Sequence, residues 1–268
     1  ILAKGRHSKS SNNVKRKPSV KTDRRRNKKL NNLLLLIFII IFISSSGVMI
    51  YWLKSNYELS KIEEEVIDKV ATINEDTNDP SKGSISVDFN SLKQINSDVK
   101  AWIYIKDTDI NYPILQATDN DYYLKRDIYK RYSSAGSIFL DYNNEADFSD
   151  SNTVIYGHNL KNKKMFADLT KIYNGQLGNA INIEIYKEDG TFEVYEVVSV
   201  YQGVPDTKMI KKTFKSDEER INYIKECIAK STVKFEYNEN TNFEDLLTLM
   251  TCDSSGYNRI VVNAQKKI

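Results

Sequence analysis

The sequence predicts a mainly β domain, a closed eight-stranded barrel with a few peripheral helices, preceded by a single transmembrane helix. Three observations lead to this prediction. About eight short runs are rich in β-branched and aromatic residues, helical patterns are few and scattered among them, and one long uncharged run lies near the N-terminus. Many short strands with few helices are typical of a closed antiparallel barrel rather than a doubly wound sheet.

Residues 1–29 form a basic tail. They carry 12 Lys and Arg against one acid, Asp23, and almost nothing that could build a core, a composition typical of disorder. The rest of the chain holds 27 basic and 35 acidic residues, a net charge of −8. Because phosphate binding needs a basic surface, no nucleic-acid partner is expected. We interpret the tail as the cytoplasmic flank of a membrane segment.

Residues 30–53 are predicted to be a transmembrane signal anchor. From Leu33 to Leu53 there are 21 residues without a charge, enough to cross ~30 Å of hydrocarbon as a helix. Tyr51 and Trp52 lie where an interfacial aromatic belt is expected. The alternative is a signal peptide cleaved near "SSSG". Since the basic block precedes the span, the positive-inside rule predicts a single-pass protein of the cell membrane, with its N-terminus in the cytoplasm and its domain outside.

Residues 54–85 are expected to join the span to the domain. Apolar residues repeat there at helical spacing, which predicts an amphipathic helix that is either a stalk or packed on the domain. The stretch "NEDTNDPSKGS" has the composition of a linker. The folded domain is therefore assigned to residues 86–268.

Eight strands are predicted in this domain from β-branched and aromatic runs bounded by turn residues. They cover residues 101–105, 111–116, 136–140, 153–157, 181–186, 191–201, 246–251 and 259–264. "EDG" between the fifth and sixth runs indicates a hairpin. Helical patterns occur at "FNSLKQINSD", at "MFADLTKIY" and at 216–230, where Ser216 and Glu219 form a capping box.

The two cysteines have different contexts. Cys227 shares an apolar helical face with Ile224 and Ile228, which predicts a buried structural thiol. Cys252 is then unpaired, and an unpaired thiol in an exported domain needs an explanation. His158 follows the apolar run "TVIYG" at a predicted strand end, where an imidazole can exchange protons.

Cys252, His158 and Arg259 together could perform nucleophilic catalysis. A thiol becomes a good nucleophile as thiolate, which needs a neighbouring base or cation. If 246–251 and 259–264 are adjacent antiparallel strands, Cys252 and Arg259 lie at the same end of the sheet. The guanidinium could then hold a carbonyl or stabilise an oxyanion. The alternative from the residues alone is structural: a small core Cys, a hydrogen-bonded loop His and a surface Arg.

Several sequence blocks resemble a known family. "TLMTC" followed by "RIVV" resembles the Thr-Leu-x-Thr-Cys…Arg signature of sortases, the membrane-anchored cysteine transpeptidases of Gram-positive bacteria. "NTVIYGHNLKNKKMFADL" resembles the block with their catalytic His. "VDFNSLKQINSDVKAWIYIKDTDINYPILQATDNDYYL" and "SAGSIFLDYNN" are similar to the class B subgroup. The resemblance covers nearly all of residues 87–267.

The resemblance implies a sortase-type barrel and a catalytic role for each of three residues. Cys252 would attack the sorting-signal peptide bond after its Thr and form a thioacyl enzyme. His158 would protonate the leaving amine and deprotonate the incoming one. Arg259 would bind the signal backbone and stabilise the oxyanion. The helix at 216–230 would correspond to the extra helix of class B.

The resemblance also implies a peptide groove, with "DTKMI" before the capped helix helping to form its specificity wall. The expected substrate-binding residues are Asn120, Leu124, Tyr156, Met209, Ile210, Met250, Thr251 and Asp253. For Asp253 two further interpretations stay open: orientation of Arg259 or His158, or a solvated loop carboxylate.

No metal and no organic cofactor are expected. The exported part has no Gly-rich phosphate loop and no metal-ligand spacing, and the acidic "DYNNEADFSD" lacks the ordered spacing of a calcium loop. The partners implied by the resemblance are surface proteins with a sorting signal, a peptidoglycan amine acceptor, and the membrane. Two alternatives remain: a thiol peptidase in which water resolves the same intermediate, and a non-catalytic surface adhesin. A pilus-polymerising sortase is disfavoured because no Asp-Pro-aromatic lid is found.

Overall fold

A computed structural model of the chain describes residues 20–74, 83–203, 210–252 and 258–267, without the side chains of Cys252 and of parts of the first helix. The chain divides into two units, Ile1–Glu58 and Leu59–Ile268. In the first unit, Asn27–Lys54 is helical and, by length and composition, could cross a membrane. Its apolar side chains are exposed along the helix.

A closed eight-stranded barrel forms the body of the second unit, which confirms the predicted fold class. Its strands are β3 (Val99–Ile105), β4 (Asn111–Leu115), β5 (Phe139–Leu140), β6 (Asn152–His158), β7 (Asn182–Lys187), β8 (Phe192–Gly203), β9 (Leu246–Cys252) and β10 (Arg259–Lys266). Around the barrel they follow the order β10-β8-β7-β3-β4-β5-β6-β9. A separate two-stranded hairpin, β1 (Ala71–Ile73) and β2 (Ile85–Val87), precedes them.

The expectation of a wholly antiparallel barrel is wrong at two places. Strand β4 pairs with β5 in parallel, and β6 pairs with β9 in parallel over seven register partners. Parallel neighbours need a long crossover, and the chain between β6 and β9, which includes β7 and β8, supplies one. The carboxyl ends of β6 and β9 therefore meet at one edge of the barrel.

The two-residue period of the strands separates an interior core from two exterior ones. Ile103 and Ile105 belong to the largest cluster, with residues from all around the barrel. Trp102 points the other way and joins a second cluster that contains Val66 and Val70. The end of the first helix thus packs on the barrel, within the compact unit Leu59–Ile268.

Four α-helices and two 3₁₀ turns flank the strands in the described residues. Helix α4 (Asp217–Ala229) begins after Ser216, whose side chain accepts a hydrogen bond from the Glu219 amide, as the capping pattern predicts. Its Cys227 is 2% exposed, which confirms the predicted buried thiol. The others are α1 (Val20–Val70), α2 (Phe89–Ile95), α3 (Leu169–Tyr173) and the 3₁₀ turns Tyr123–Lys125 and Phe166–Asp168.

Candidate active site

His158 and Cys252 are the last residues of the parallel strands β6 and β9, and they are register partners. Neighbouring strands lie about 4.8 Å apart, so strand pairing alone brings the main chain of His158 beside the main chain of Cys252. The two preceding residue pairs, Tyr156 with Met250 and Gly157 with Thr251, keep the same register. No bulge interrupts it.

Arg259 opens β10, the antiparallel neighbour of β9. The pairing of these strands runs from Gln265 with Leu246 to Val261 with Met250. If this register continues for two more residues, Arg259 is opposite Cys252. Its guanidinium side chain is partly exposed. The three predicted catalytic residues therefore occupy one edge of three consecutive strands, β6, β9 and β10.

A backbone carbonyl fixes the ring of His158. Its Nε2 lies 2.8 Å from the carbonyl oxygen of Leu124. Because a carbonyl oxygen can only accept, Nε2 carries the proton of this hydrogen bond, which leaves Nδ1 as the ring nitrogen for proton exchange. Leu124, predicted to line the groove, thus contacts the candidate active site through its main chain.

Gly136 allows this close approach. Its φ is +61°, and a Cβ built there would lie 2.7 Å from the Leu124 oxygen and 2.8 Å from Cδ2 of His158. Any side chain at this position would push on both the ring and the carbonyl that holds it. The glycine is therefore required by sterics as well as by its backbone angle.

Thr251 supports the strand pair rather than facing solvent. Its side chain is 1% exposed, and its hydroxyl accepts a hydrogen bond of 2.9 Å from the amide of Ile260. This bond links the residue before Cys252 to the residue after Arg259. A substrate-binding role for Thr251 stays a prediction, and the geometry adds a role in holding the two strands together.

Asp141 joins three side chains around the site. The residue follows β5 and is 0% exposed. Its carboxylate accepts hydrogen bonds of 2.9 Å from Asn120 and from Tyr156, and it forms an ion pair with Lys212. Burial alone would raise the pKa of Asp141, but the bonds from Lys212, the Asn143 amide, Asn120 and Tyr156 outweigh it, and the pKa is lowered. The carboxylate is therefore ionised at neutral pH.

The other predicted groove residues are placed as follows. Tyr156, Ile210 and Met250 share the cluster that lies under α4, so three of the eight come together there, and Asn120 joins Tyr156 through Asp141. Met250 is 8% exposed. Met209 and Asp253 lie outside the described residues. Within the ranges described, no group of three His, Cys, Asp or Glu residues could hold a metal ion.

Comparison with known proteins bears directly on this arrangement. Residues 103–267, more than half of the chain, match the family model described as the sortase domain. The chain belongs to the sortase family. Sortase B of Listeria monocytogenes is 36% identical over 173 residues, which cover 64% of this chain and 70% of that protein. Sortase B of Staphylococcus aureus is 32% identical over 182 residues, covering 66% and 73% respectively.

Solved structures agree with the class. The X-ray structure of Clostridium perfringens sortase B matches this sortase with a TM-score of 0.61 and 36% identity, covering 68% of this chain and all of that one. The protein is a class B sortase, a cysteine transpeptidase of a family that acts on sorting signals and peptidoglycan amines. Family membership decides against the adhesin alternative.

Three residues at this site were not singled out from the sequence: Asp141, Lys212 and Gly136. Asp141 lies in the acidic stretch considered for calcium, and a carboxylate directly after a buried strand was the available signal. Its partner Lys212 is 71 residues away, so no local pattern joins them. Gly136 was assigned to a strand, although a positive φ takes it out of extended backbone.

Proposed function

We propose that this sortase cleaves a C-terminal sorting signal after Thr, holds the protein as a thioacyl enzyme on Cys252, and transfers it to an amine of peptidoglycan. The observation that supports this most is the register pairing of His158 with Cys252 at the ends of two parallel strands. It gives the thiol and the imidazole adjacent main-chain positions with no dependence on loop conformation.

In the first half-reaction, the Cys252 thiolate attacks the Thr carbonyl carbon. The oxygen gains negative charge, and Arg259 stabilises that charge with its permanently protonated guanidinium. His158 donates a proton to the leaving amine as the C–N bond breaks, and a thioester forms. The neighbouring imidazolium also favours the thiolate before attack.

In the second half-reaction, an acceptor amine attacks the thioester carbonyl. His158 removes its proton, the C–S bond breaks, and the thiolate is regenerated. The thioester conserves the energy of the cleaved peptide bond, so the exchange needs no nucleotide. Water at the same step would give the free acid, which is the hydrolytic alternative.

The helix Asn27–Lys54 is proposed to anchor the enzyme in the cell membrane. The basic block before it supports a cytoplasmic N-terminus and an extracellular catalytic domain. This orientation would put the barrel where exported substrates and the wall are both available. Protease added outside intact cells should then cleave the chain on the C-terminal side of the helix and leave the basic tail, residues 1–29, intact.

Product analysis tests the proposed reaction. The full chain in detergent is offered a panel of fluorogenic pentapeptides with Thr before the cleaved bond, with and without an added oligoglycine amine, beside Cys252→Ala. Cleavage that disappears in the variant and gives an amine-linked product supports the proposal. Cleavage to free acid alone, even at high amine concentration, contradicts transfer and supports the peptidase.

A further inference from the structure

Asp141 binds together three separate parts of the chain. Asn120 comes from the connection between β4 and β5, Tyr156 from β6, and Lys212 from the connection between β8 and α4. All three donate to its Oδ2. A buried carboxylate is costly unless it is paired and hydrogen bonded, so this position is stable only while the three segments converge on it.

Residues 210–212 have a second buried anchor. The Asn152 side-chain amide donates a hydrogen bond of 2.8 Å to the Lys211 carbonyl, and its own oxygen accepts one of 2.9 Å from Thr248. Asn152 is 0% exposed. The segment is therefore bound through its main chain by Asn152 and through its Lys212 side chain by Asp141, while Ile210 packs on the apolar cluster under α4.

This network lies beside the candidate catalytic pair. Tyr156 precedes His158 by two residues on β6, so the two side chains share one face, about 6.6 Å apart along the strand. Asn120 is fixed at both ends of its amide, because it donates to Asp141 and accepts a bond of 3.0 Å from the Tyr142 amide. Asp141 thus sets the orientation of two side chains expected to meet the peptide.

We propose that Asp141 is a positioning residue for peptide recognition. Its ion pair with Lys212 fixes residues 210–212 as a wall of the peptide groove, and its hydrogen bonds orient Asn120 and Tyr156 beside that wall. The inference rests on the proposed function, because its ligand is the sorting-signal peptide. Asp141 has no exposed surface, so it acts through these partners and does not touch the peptide.

The opposite charges of Asp141 and Lys212, and not the shapes of their side chains alone, hold residues 210–212 in place. Asp141→Asn has nearly the same shape but leaves Lys212 without its counter-charge. Lys212→Met removes the cation and keeps a side chain of similar length, whereas Lys212→Arg keeps the cation. Lys93→Met is the matched control, since it removes a different ion pair, with Glu188 at 2.8 Å.

Hydrogen exchange tests the anchor without any substrate. In the full chain in detergent, the amide of Lys211, which donates a hydrogen bond to the Tyr223 hydroxyl, should exchange at least about ten-fold faster in Asp141→Asn and Lys212→Met. Lys212→Arg and Lys93→Met should match the wild type. Unchanged exchange in both Asp141→Asn and Lys212→Met would overturn the proposal. Using two variants keeps the test decisive if one of them fails to fold.

Peptide kinetics test the consequence for recognition. With fluorogenic pentapeptides varied before the Thr, we expect the two anchor variants to raise KM about ten-fold and to reduce the preference among peptides, with kcat largely retained. Alkylation of Cys252 by iodoacetamide should keep its rate. A loss confined to kcat, with peptide preference intact, contradicts a positioning role. If the wild type cleaves no peptide, the proposed function fails. The exchange measurement still decides whether the ion pair of Asp141 with Lys212 holds residues 210–212.

Discussion

His158 and Cys252 are register partners at the carboxyl ends of the parallel strands β6 and β9. Residues on loops would need packing to fix their separation, whereas these two are set by the hydrogen-bonded ladder of the barrel itself. The ring orientation is then set by the Leu124 carbonyl at 2.8 Å. Catalytic residues keep the geometry that a reaction needs most precisely when they lie on strands or helices and when further hydrogen bonds fix their side chains.

Gly136→Ala is expected to disable the enzyme through His158. The new Cβ would lie within 2.8 Å of the ring and of the Leu124 oxygen, and misplacement by about 1 Å can cost about 10²-fold in rate. Gly190→Ala is the control, because Gly190 also has a positive φ, +82°, but nothing lies within 4 Å. Peptide cleavage rates and thermal unfolding of both variants are compared. Equal activity in the two would show that contact with His158 is unimportant.

Thr251→Val is expected to lower the free energy of unfolding by about 1–3 kcal/mol, because the amide of Ile260 then loses its buried acceptor. Thr251→Ser keeps the hydroxyl and loses only a methyl group, about 0.8 kcal/mol. The measurement is urea unfolding of both variants, with peptide cleavage alongside to report the position of Arg259. A valine variant as stable and active as the serine variant would argue that this bond is dispensable.

Cys227 is expected to resist thiol reagents. Its burial raises the thiol pKa, outweighing hydrogen bonds from Tyr201 and Tyr223 that lower it, so the unreactive protonated form prevails at neutral pH. Iodoacetamide should modify one thiol in the folded chain and two in denaturant. Cys252→Ala should abolish the native labelling and Cys227→Ala should preserve it, as intact mass shows. Native labelling at Cys227 would refute the assignment.

Asp141 is expected to contribute to acid sensitivity. Its folded pKa lies below the ordinary value of 3.8, so its stabilisation is fully present above that value and is lost as pH falls through the folded pKa. One carboxylate whose pKa differs between the folded and unfolded states can change the free energy of unfolding by up to about 1.4 kcal/mol per pH unit. Urea unfolding between about pH 6 and about pH 3 should give a shallower acid slope in Asp141→Asn. The same slope in both proteins would contradict this account.

The strands and α4 could be predicted because their patterns are local. Runs of β-branched and aromatic residues bounded by turn residues predicted all eight barrel strands within a few residues, except that β5 is limited to Phe139–Leu140. The Ser216 cap and the buried Cys227 also follow from neighbouring residues.

Non-local contacts could not be predicted in the same way. The parallel pairing of β6 with β9 depends on how a long crossover returns, and the pairing of Asp141 with Lys212 joins residues far apart in the chain. Cys252, His158 and Arg259 could be predicted from residue chemistry and family resemblance. The residues around them, such as Asp141 and Gly136, could be identified only from the structure.

The covalent intermediate tests the central claim most directly. The full chain in detergent is mixed with a sorting-signal peptide in the absence of amine, quenched in acid, and analysed by intact mass and peptide mapping. The account predicts an added acyl fragment ending in Thr, attached to Cys252, which disappears when an oligoglycine amine is added and is absent in Cys252→Ala. Turnover of the same peptide with no adduct at Cys252, or with full activity in Cys252→Ala, would contradict it.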